Sequence, residues 1–278
     1  MRAWQTIDKS AKSQFFICGF WHGPVATGKT LLTGVIMRTD PQHRKDAVLG
    51  IVVKQYIHTI TPVSSAFIAD EYERDVSSAT IRNILVELEA DGYLTHPHTS
   101  AGRMPTERGY RYYVDFLMQE IALLEEERHR VHREYQDGIQ ELEALAEKTT
   151  EIVSDLTHCA SIVMIDGLSH GYVFRGSNYL AEAVGSYSLQ KMAMILRTLE
   201  EKERILEVLR RDLDRKIKIY IGQETACEAF DECALAVSRF QTRRGPSGRI
   251  AVLGPTRMDY QRVVSALEYV SDVIHEMM

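Results

Sequence analysis

The run Val76–Leu94 holds side chains whose types and spacing suit the reading of DNA bases. Arg82 and Asn83 are neighbours, and arginine pairs with guanine while asparagine pairs with adenine. Ser77 or Ser78 can cap the start of a helix, because its side-chain oxygen accepts a hydrogen bond from an otherwise unpaired backbone N–H. The run therefore predicts a helix that presents polar side chains to DNA.

Apolar residues at helical spacing predict which face of this helix is buried. The predicted buried stripe consists of Ile81, Ile84, Leu85 and Leu88. The opposite face carries Ala79, Arg82, Asn83 and Val86. Gly92 follows the stripe, where the left-handed conformation that ends many helices suits glycine. An ordinary amphipathic surface helix is the alternative interpretation of this pattern.

The flanking segments predict the rest of a DNA-binding fold. Residues 46–58 form an amphipathic helix that ends at Thr61-Pro62, since the residue before proline avoids the helical region. A short helix over residues 65–71 follows, and the run above supplies the third helix of a helix-turn-helix. Residues 93–96 then pair with a short strand near Arg103 and form a hairpin wing.

The predicted wing carries polar and basic side chains that would reach phosphate or the minor groove. A fourth helix begins near Thr106, and Arg108 and Arg111 extend the basic patch. A solvated turn is the alternative interpretation. The candidate DNA contacts of the whole segment are Ser77, Ser78, Thr80, Arg82, Asn83, His98, Thr99, Ser100, Arg103, Thr106 and Arg111.

The charge of the chain argues against a purely electrostatic DNA binder. The formal net charge is −6, and residues 46–117 hold six Lys and Arg against ten Asp and Glu. Non-specific DNA binding depends on neutralised phosphates, so we expect weak non-specific affinity and a modest dependence on salt.

Runs in two distant parts of the sequence resemble one known family. The first part contains Val76–Asn83, Leu88–Leu94 and Pro97–Asp115, including the long His98-Thr-Ser-Ala-Gly-Arg103 motif. The second part contains Ile219–Gly222 and Leu253–Val263. Over about residues 46–275 the chain resembles the HrcA family of heat-inducible transcription repressors.

The resemblance implies a winged-helix repressor that binds, as a homodimer, an inverted-repeat operator called CIRCE. That operator lies upstream of chaperone and chaperonin operons. The resemblance also implies a GroEL-type chaperonin as a partner that keeps the repressor active, and a GAF-like C-terminal domain. A winged-helix regulator of another regulon, sensing a small molecule, is the alternative.

The fold class predicted from these observations is α+β, in four parts. They are an N-terminal extension (1–45), a winged helix-turn-helix domain (46–117), a connecting and dimerisation helix (118–157) and a GAF-like α/β domain (158–278). A long helical stretch is predicted from about Thr106 to Leu156. Four-three spacing of mostly apolar residues from Leu117 to Leu156 indicates a coiled-coil seam along it, in which Gly138 is a candidate break.

The last part alternates strand-like and helix-like patterns. Strands are predicted over residues 161–165, 216–221 and 249–253. A helix or helix pair is predicted over 189–213, and a final helix over 258–274. No ligand constellation stands out here, so structural support and dimerisation are the expected roles.

Two features depart from the family. Only about twenty residues separate Ile165 from Leu189, where family members usually carry an inserted domain, so we expect that domain to be absent. Residues 1–45 are an extension predicted to be disordered; the alternative is that translation starts at Met37 and residues 1–36 are not translated. Gly23–Thr30 within it matches a phosphate-binding P-loop, and the enzyme alternative is a nucleotide-binding protein using Gly28, Lys29 and Thr30.

Composition excludes several other classes. The four cysteines are scattered without a CxxC pair, so we expect reduced thiols and no metal or other cofactor. No apolar run approaches the roughly 18 residues that a membrane span needs. A cytoplasmic protein without a catalytic constellation is expected.

Overall fold

The computed structural model describes residues 41–71, 77–98, 102–136, 142–168, 171–182, 188–211, 215–243 and 245–277. These residues form a mixed α/β structure with one five-stranded sheet and one two-stranded ribbon. The extension over 1–40, with its P-loop-like run and Met37, lies outside the described residues. None of the helices described is both long and apolar enough to cross a lipid bilayer.

Three helices and a short ribbon form the N-terminal part. They are α1 (Pro41–Thr59), α2 (Ser65–Glu71), α3 (Ser78–Ala90), β1 (Leu94–Thr95) and β2 (Met104–Pro105). The predicted apolar stripe of α3 is buried against α1 and α2, as the helical spacing indicated. Strands β1 and β2 are antiparallel, and an isolated bridge joins Val63 to Arg103 beside them.

The prediction of one long helix from Thr106 to Leu156 is wrong. Helix α4 (Glu107–Tyr112) passes into a π-helical turn (Tyr113–Leu117), and helical structure resumes only at α5 (Glu125–Gln136) and α6 (Leu142–Thr157). Gly138, the candidate break, lies outside the described residues.

Side chains of the C-terminal helix, α10 (Tyr260–Met277), explain the interruption between α4 and α5. Gln261 Nε2 donates to the carbonyl oxygen of Gln119 at 2.6 Å, and the Ser265 hydroxyl donates to that of Ile121. The backbone between α4 and α5 thus gains partners from α10 in place of helical bonds. The four-three spacing predicts an apolar stripe, but it does not distinguish packing within one chain from packing against a second chain. Here most of the stripe packs into the core of its own chain.

The main sheet is antiparallel throughout, in the order β4-β3-β7-β6-β5. Its strands are β3 (Ala160–Ile165), β4 (Val173–Arg175), β5 (Ile217–Ile221), β6 (Cys233–Gln241) and β7 (Ser247–Pro255). The three predicted strands correspond to β3, β5 and β7. Strand β6 escaped prediction because it is buried on both faces and lacks the polar alternation of a half-exposed strand.

Helices cover both faces of this sheet. Helices α6 and α10 lie on one face, and the other is covered by α7 (Ser177–Glu182), α8 (Leu189–Glu200) and α9 (Lys202–Leu209). Alternate residues of each strand enter the two cores, as Ile162 and Val163 of β3 do. The predicted helix pair over 189–213 and the final helix are confirmed.

The N-terminal helices join the sheet directly. One apolar core runs from α1, α2 and α3 into the face of the sheet covered by α6 and α10. The rings of Tyr110 on α4 and Tyr260 on α10 lie with centroids 5.9 Å apart. The Glu107 carboxyl group lies against Gly222, whose backbone has a φ of +56° and leaves no room for a side chain. The DNA-reading part predicted from the sequence therefore rests on the C-terminal sheet.

Candidate nucleic-acid interface

Helix α3 begins at a capped N-terminus. The Ser77 hydroxyl accepts a hydrogen bond from the Thr80 backbone N–H at 3.2 Å, which satisfies one of the unpaired groups of the first turn. Ser77 and Ser78 are exposed, and Thr80 is half-buried. The first turn thus presents hydroxyl groups and backbone N–H groups on the side where a helix attracts phosphate.

The face of α3 opposite the buried stripe is open to solvent. Arg82 and Asn83 are exposed, and Val86 is 58% exposed. Arg82 Nε donates to the Ser65 hydroxyl on α2 at 3.4 Å, and within the described part of the chain Arg82 has no carboxylate partner. An exposed guanidinium, amide and small apolar group in consecutive turns can contact guanine, adenine and the thymine methyl, respectively.

Arg103, a candidate DNA contact, directly precedes β2 and is held by other groups of the same chain. Its backbone exchanges two hydrogen bonds with Val63, of 2.8 and 2.9 Å. Its guanidinium pairs with Glu89 of α3 at 2.9 Å, and the side chain is 17% exposed. His96 contacts the other oxygen of the same carboxylate. Glu89 therefore ties the hairpin to α3 from both strands.

Thr106 also has a structural role. Its hydroxyl caps α4 by accepting from the Gly109 N–H at 3.1 Å, and it donates to the Gly92 carbonyl oxygen at 2.7 Å. His98 is exposed near the turn, whereas Thr99 and Ser100 lie outside the described residues.

Arg111 faces the C-terminal sheet and not a free surface, which corrects its assignment to the basic patch. Its guanidinium pairs with Glu224 and, at 3.4 Å, with Asp115, and it donates to the Ile219 carbonyl oxygen at 2.7 Å. Burial disfavours its charged form, but the hydrogen bond that it donates to Glu224 and the charges of Glu224 and Asp115 outweigh this and raise the pKa of Arg111. Arg111 joins α4 to the edge strand β5.

Lys45 of α1 is a neighbour of α3 that sequence reasoning missed. Its ammonium group lies 2.9 Å from Glu87 and 3.3 Å from Asp91, and the hydrogen bonds that it donates to these carboxylates raise the pKa of Lys45. The pair spans more than forty residues, so no local spacing marks it. The carboxylates at the C-terminal end of α3 are therefore paired with basic side chains of the same chain.

Arg108 lies over the ring of Tyr93, next to the hairpin, with its guanidinium carbon 4.8 Å from the centre of the ring.

No group of three or more His, Cys, Asp or Glu that could hold a metal ion occurs in the part of the chain that the structure describes. Cys159, Cys227 and Cys233 are buried thiols, and burial raises the pKa of Cys159 to about 12. Cys18 lies outside the described residues.

Comparisons with known proteins define the class. The chain is 27% identical to the heat-inducible transcription repressor HrcA of Carboxydothermus hydrogenoformans, over 84% of this chain and 97% of the relative. It is 37% identical to the protein of the same name from Pelotomaculum thermopropionicum, over 63% of this chain and 52% of the relative. It is therefore a transcription repressor and not an enzyme.

The family model described as the HrcA protein C-terminal domain matches residues 124–264, which is just over half of the chain. The chain belongs to the HrcA family. A crystal structure described as that of a hypothetical protein shares the fold, with a TM-score of 0.64 at 18% identity, over 84% of this chain and 97% of that one.

The same comparison bears on the missing insertion. The match with the Carboxydothermus protein spans 331 residues, although it uses 84% of this 278-residue chain. The relative thus has roughly one hundred residues inside the matched span that have no counterpart here. This supports the expectation that the inserted domain is absent.

Proposed function

We propose that this repressor is a winged-helix protein that places α3 in the major groove of an inverted-repeat operator upstream of chaperone and chaperonin genes. The observation that carries the proposal is the exposed face of α3, where Arg82, Asn83 and Val86 stand opposite a fully packed stripe. In this arrangement the hairpin after α3 is the wing, and Glu89 of α3 holds it through His96 and Arg103.

The fold and the charge distribution support sequence-specific DNA binding more than non-specific electrostatic binding. Lys45 and Arg103 are paired with carboxylates of α3, and Arg111 is paired with Glu224. The nearby carboxylate offsets the positive charge of each paired side chain, so its attraction to phosphate is weak. The edges of the DNA bases, in contrast, are read by hydrogen bonds, which depend on the correct placement of the side chain. Discrimination between DNA sequences should therefore be large relative to non-specific affinity.

The experiment measures binding of the full chain to a fluorescent duplex carrying the inverted repeat and to a scrambled duplex, at physiological salt. We expect a preference of at least a thousandfold. Arg82→Ala should reduce it, and Arg130→Ala, an exposed charge on α5, is the matched control. Equal binding to both duplexes by the unmodified chain would contradict the proposal.

Homodimerisation and a GroEL-type chaperonin partner complete the proposal, together with action in the cytoplasm. The segment between α4 and α5 exposes Phe116 (71%), Leu124 (67%) and Ile121 (44%), and we assign it to contact with a second copy on an inverted repeat. Sedimentation measures the dimer, and adding the chaperonin to the binding assay measures the partner. A monomer on the operator, or no change with chaperonin, would remove the corresponding part.

A further inference from the structure

A cavity of about 300 Å³ lies where the N-terminal part meets the C-terminal sheet. It is lined by the end of α1, β2, α4, Glu232 directly before β6, and the turn between β7 and α10. Its polar lining consists of Tyr56, Glu107, Tyr110, Glu232, Thr256 and Arg257. Two of the runs on which the family resemblance rests, 97–115 and 253–263, contribute to this lining.

The Tyr110 hydroxyl is the feature that points to a ligand. The side chain is 3% exposed, and its hydroxyl has no hydrogen-bond partner among the described residues. Buried polar groups nearly always have a partner, and leaving one unpaired is costly. Burial raises the pKa of Tyr110, so the hydroxyl remains a donor at physiological pH and needs an acceptor.

The charged side chains around the cavity indicate which other groups the ligand carries besides that acceptor. Glu107 and Glu232 contribute two carboxylates and Arg257 one guanidinium, so the lining carries a formal charge of −1. Glu107 is held in place against Gly222 of the C-terminal part. A ligand that satisfies this lining has an acceptor for Tyr110 and a cationic group for the carboxylates.

We propose that this cavity binds a small cationic amino acid. Its carboxylate accepts the hydrogen bond from the Tyr110 hydroxyl on the Arg257 side, and its ammonium groups face Glu107 and Glu232. The cavity volume is at the small end of the range for ligand sites, which suits a molecule of amino-acid size. Because its lining comes from both parts of the chain, a bound ligand would stabilise their contact and favour one arrangement of α3 and the wing.

The test is calorimetric titration of the full chain, without DNA, with L-lysine and L-arginine, using L-alanine and L-glutamate as charge controls. We expect binding in the order cationic, neutral, anionic. Tyr110→Phe should weaken lysine binding by about fivefold to tenfold, since it removes one hydrogen bond and no volume. Glu232→Gln should reduce the preference for lysine over alanine.

Tyr110→Phe should fold without loss of thermal stability, because the hydroxyl that it removes has no hydrogen-bond partner among the residues that the structure describes. Thermal unfolding of both variants without ligand checks this. No binding of any of the four amino acids, or equal lysine affinity in wild type and Tyr110→Phe, would overturn the proposal and leave a cavity that holds water only. Since no DNA is present, failure here is separate from failure of operator binding.

Discussion

Two groups of side chains from the DNA-binding part differ in how the structure uses them. The face of α3 with Arg82 and Asn83 is open to solvent, whereas Arg103 and Arg111 are engaged by carboxylates of the same chain. Both groups have residue types that suit DNA. The difference teaches that the availability of a charge depends on its neighbours in space, which local spacing does not reveal.

The physical basis of this difference is desolvation. Arg103 is 17% exposed and Arg111 27%, so each guanidinium has already exchanged water for a carboxylate partner, and Arg111 also donates to a carbonyl oxygen. Moving either to phosphate would break its ion pair with Glu89 or Glu224 and so offset part of the gain from the phosphate contact. We infer that these two residues position α3 and the hairpin, and that α3 reads the sequence.

The largest expected effect comes from the reading face. Arg82→Ala or Asn83→Ala should weaken operator binding by roughly 1–3 kcal/mol each, with little change in affinity for scrambled DNA. The loss is confined to the operator because each side chain addresses a base edge. Fluorescence anisotropy on both duplexes measures this, with Arg130→Ala as the control. Equal losses on both duplexes would mean that Arg82 contacts phosphate instead.

Next in size is the cap that joins the hairpin to α4. Thr106→Ala should lower the free energy of unfolding by about 1 kcal/mol, because it removes an N-cap and a bond to the Gly92 carbonyl. Chemical denaturation provides the measurement. Ser78→Ala, which affects the exposed first residue of α3 and not its cap, should change stability less; an equal loss would refute a special role for Thr106.

The ion pair between Arg111 and Glu224, which joins α4 to the sheet, should contribute less to stability than the Thr106 cap. Glu224→Gln removes one of the two charged partners of Arg111 and is expected to lower the free energy of unfolding by roughly 1 kcal/mol or less, since Glu224 is 44% exposed. Operator discrimination, measured on the two duplexes, should stay within about twofold. A large drop in operator binding at unchanged stability would return Arg111 to the DNA surface.

The smallest effect concerns the carboxylate between the hairpin and α3. Glu89→Gln removes a negative charge beside the proposed DNA surface and releases Arg103, so non-specific binding should strengthen and its salt slope should steepen by about one phosphate contact. Titrations at several salt concentrations give the slope, with Glu126→Gln on α5 as the control. An unchanged slope would show that Arg103 stays engaged elsewhere.

Local patterns predicted those parts of the fold that depend on neighbours in the sequence. The stripe Ile81–Leu88, the cap at Ser77 and the strands β3, β5 and β7 follow from residue spacing and side-chain chemistry. Strand β6 is buried on both faces and has no periodic polar signal, so it was missed. The break after α4 depends on Gln261 and Ser265, which are more than 140 positions away.

The candidate site was predictable to the same extent. Arg82 and Asn83 were placed correctly on an exposed face because helical periodicity fixes which face is buried. Arg111 was misplaced because its partner Glu224 lies 113 positions along the chain. Lys45 was missed for the same reason, since its carboxylates are on another helix.

The most direct test of the central claim compares Arg82→Ala with Arg111→Ala on the operator and scrambled duplexes at one salt concentration. The account predicts that Arg82→Ala loses most of its preference for the operator, while Arg111→Ala keeps its preference and loses thermal stability. The opposite pattern, with the operator preference lost in Arg111→Ala and kept in Arg82→Ala, would contradict the assignment of α3 as the reading helix.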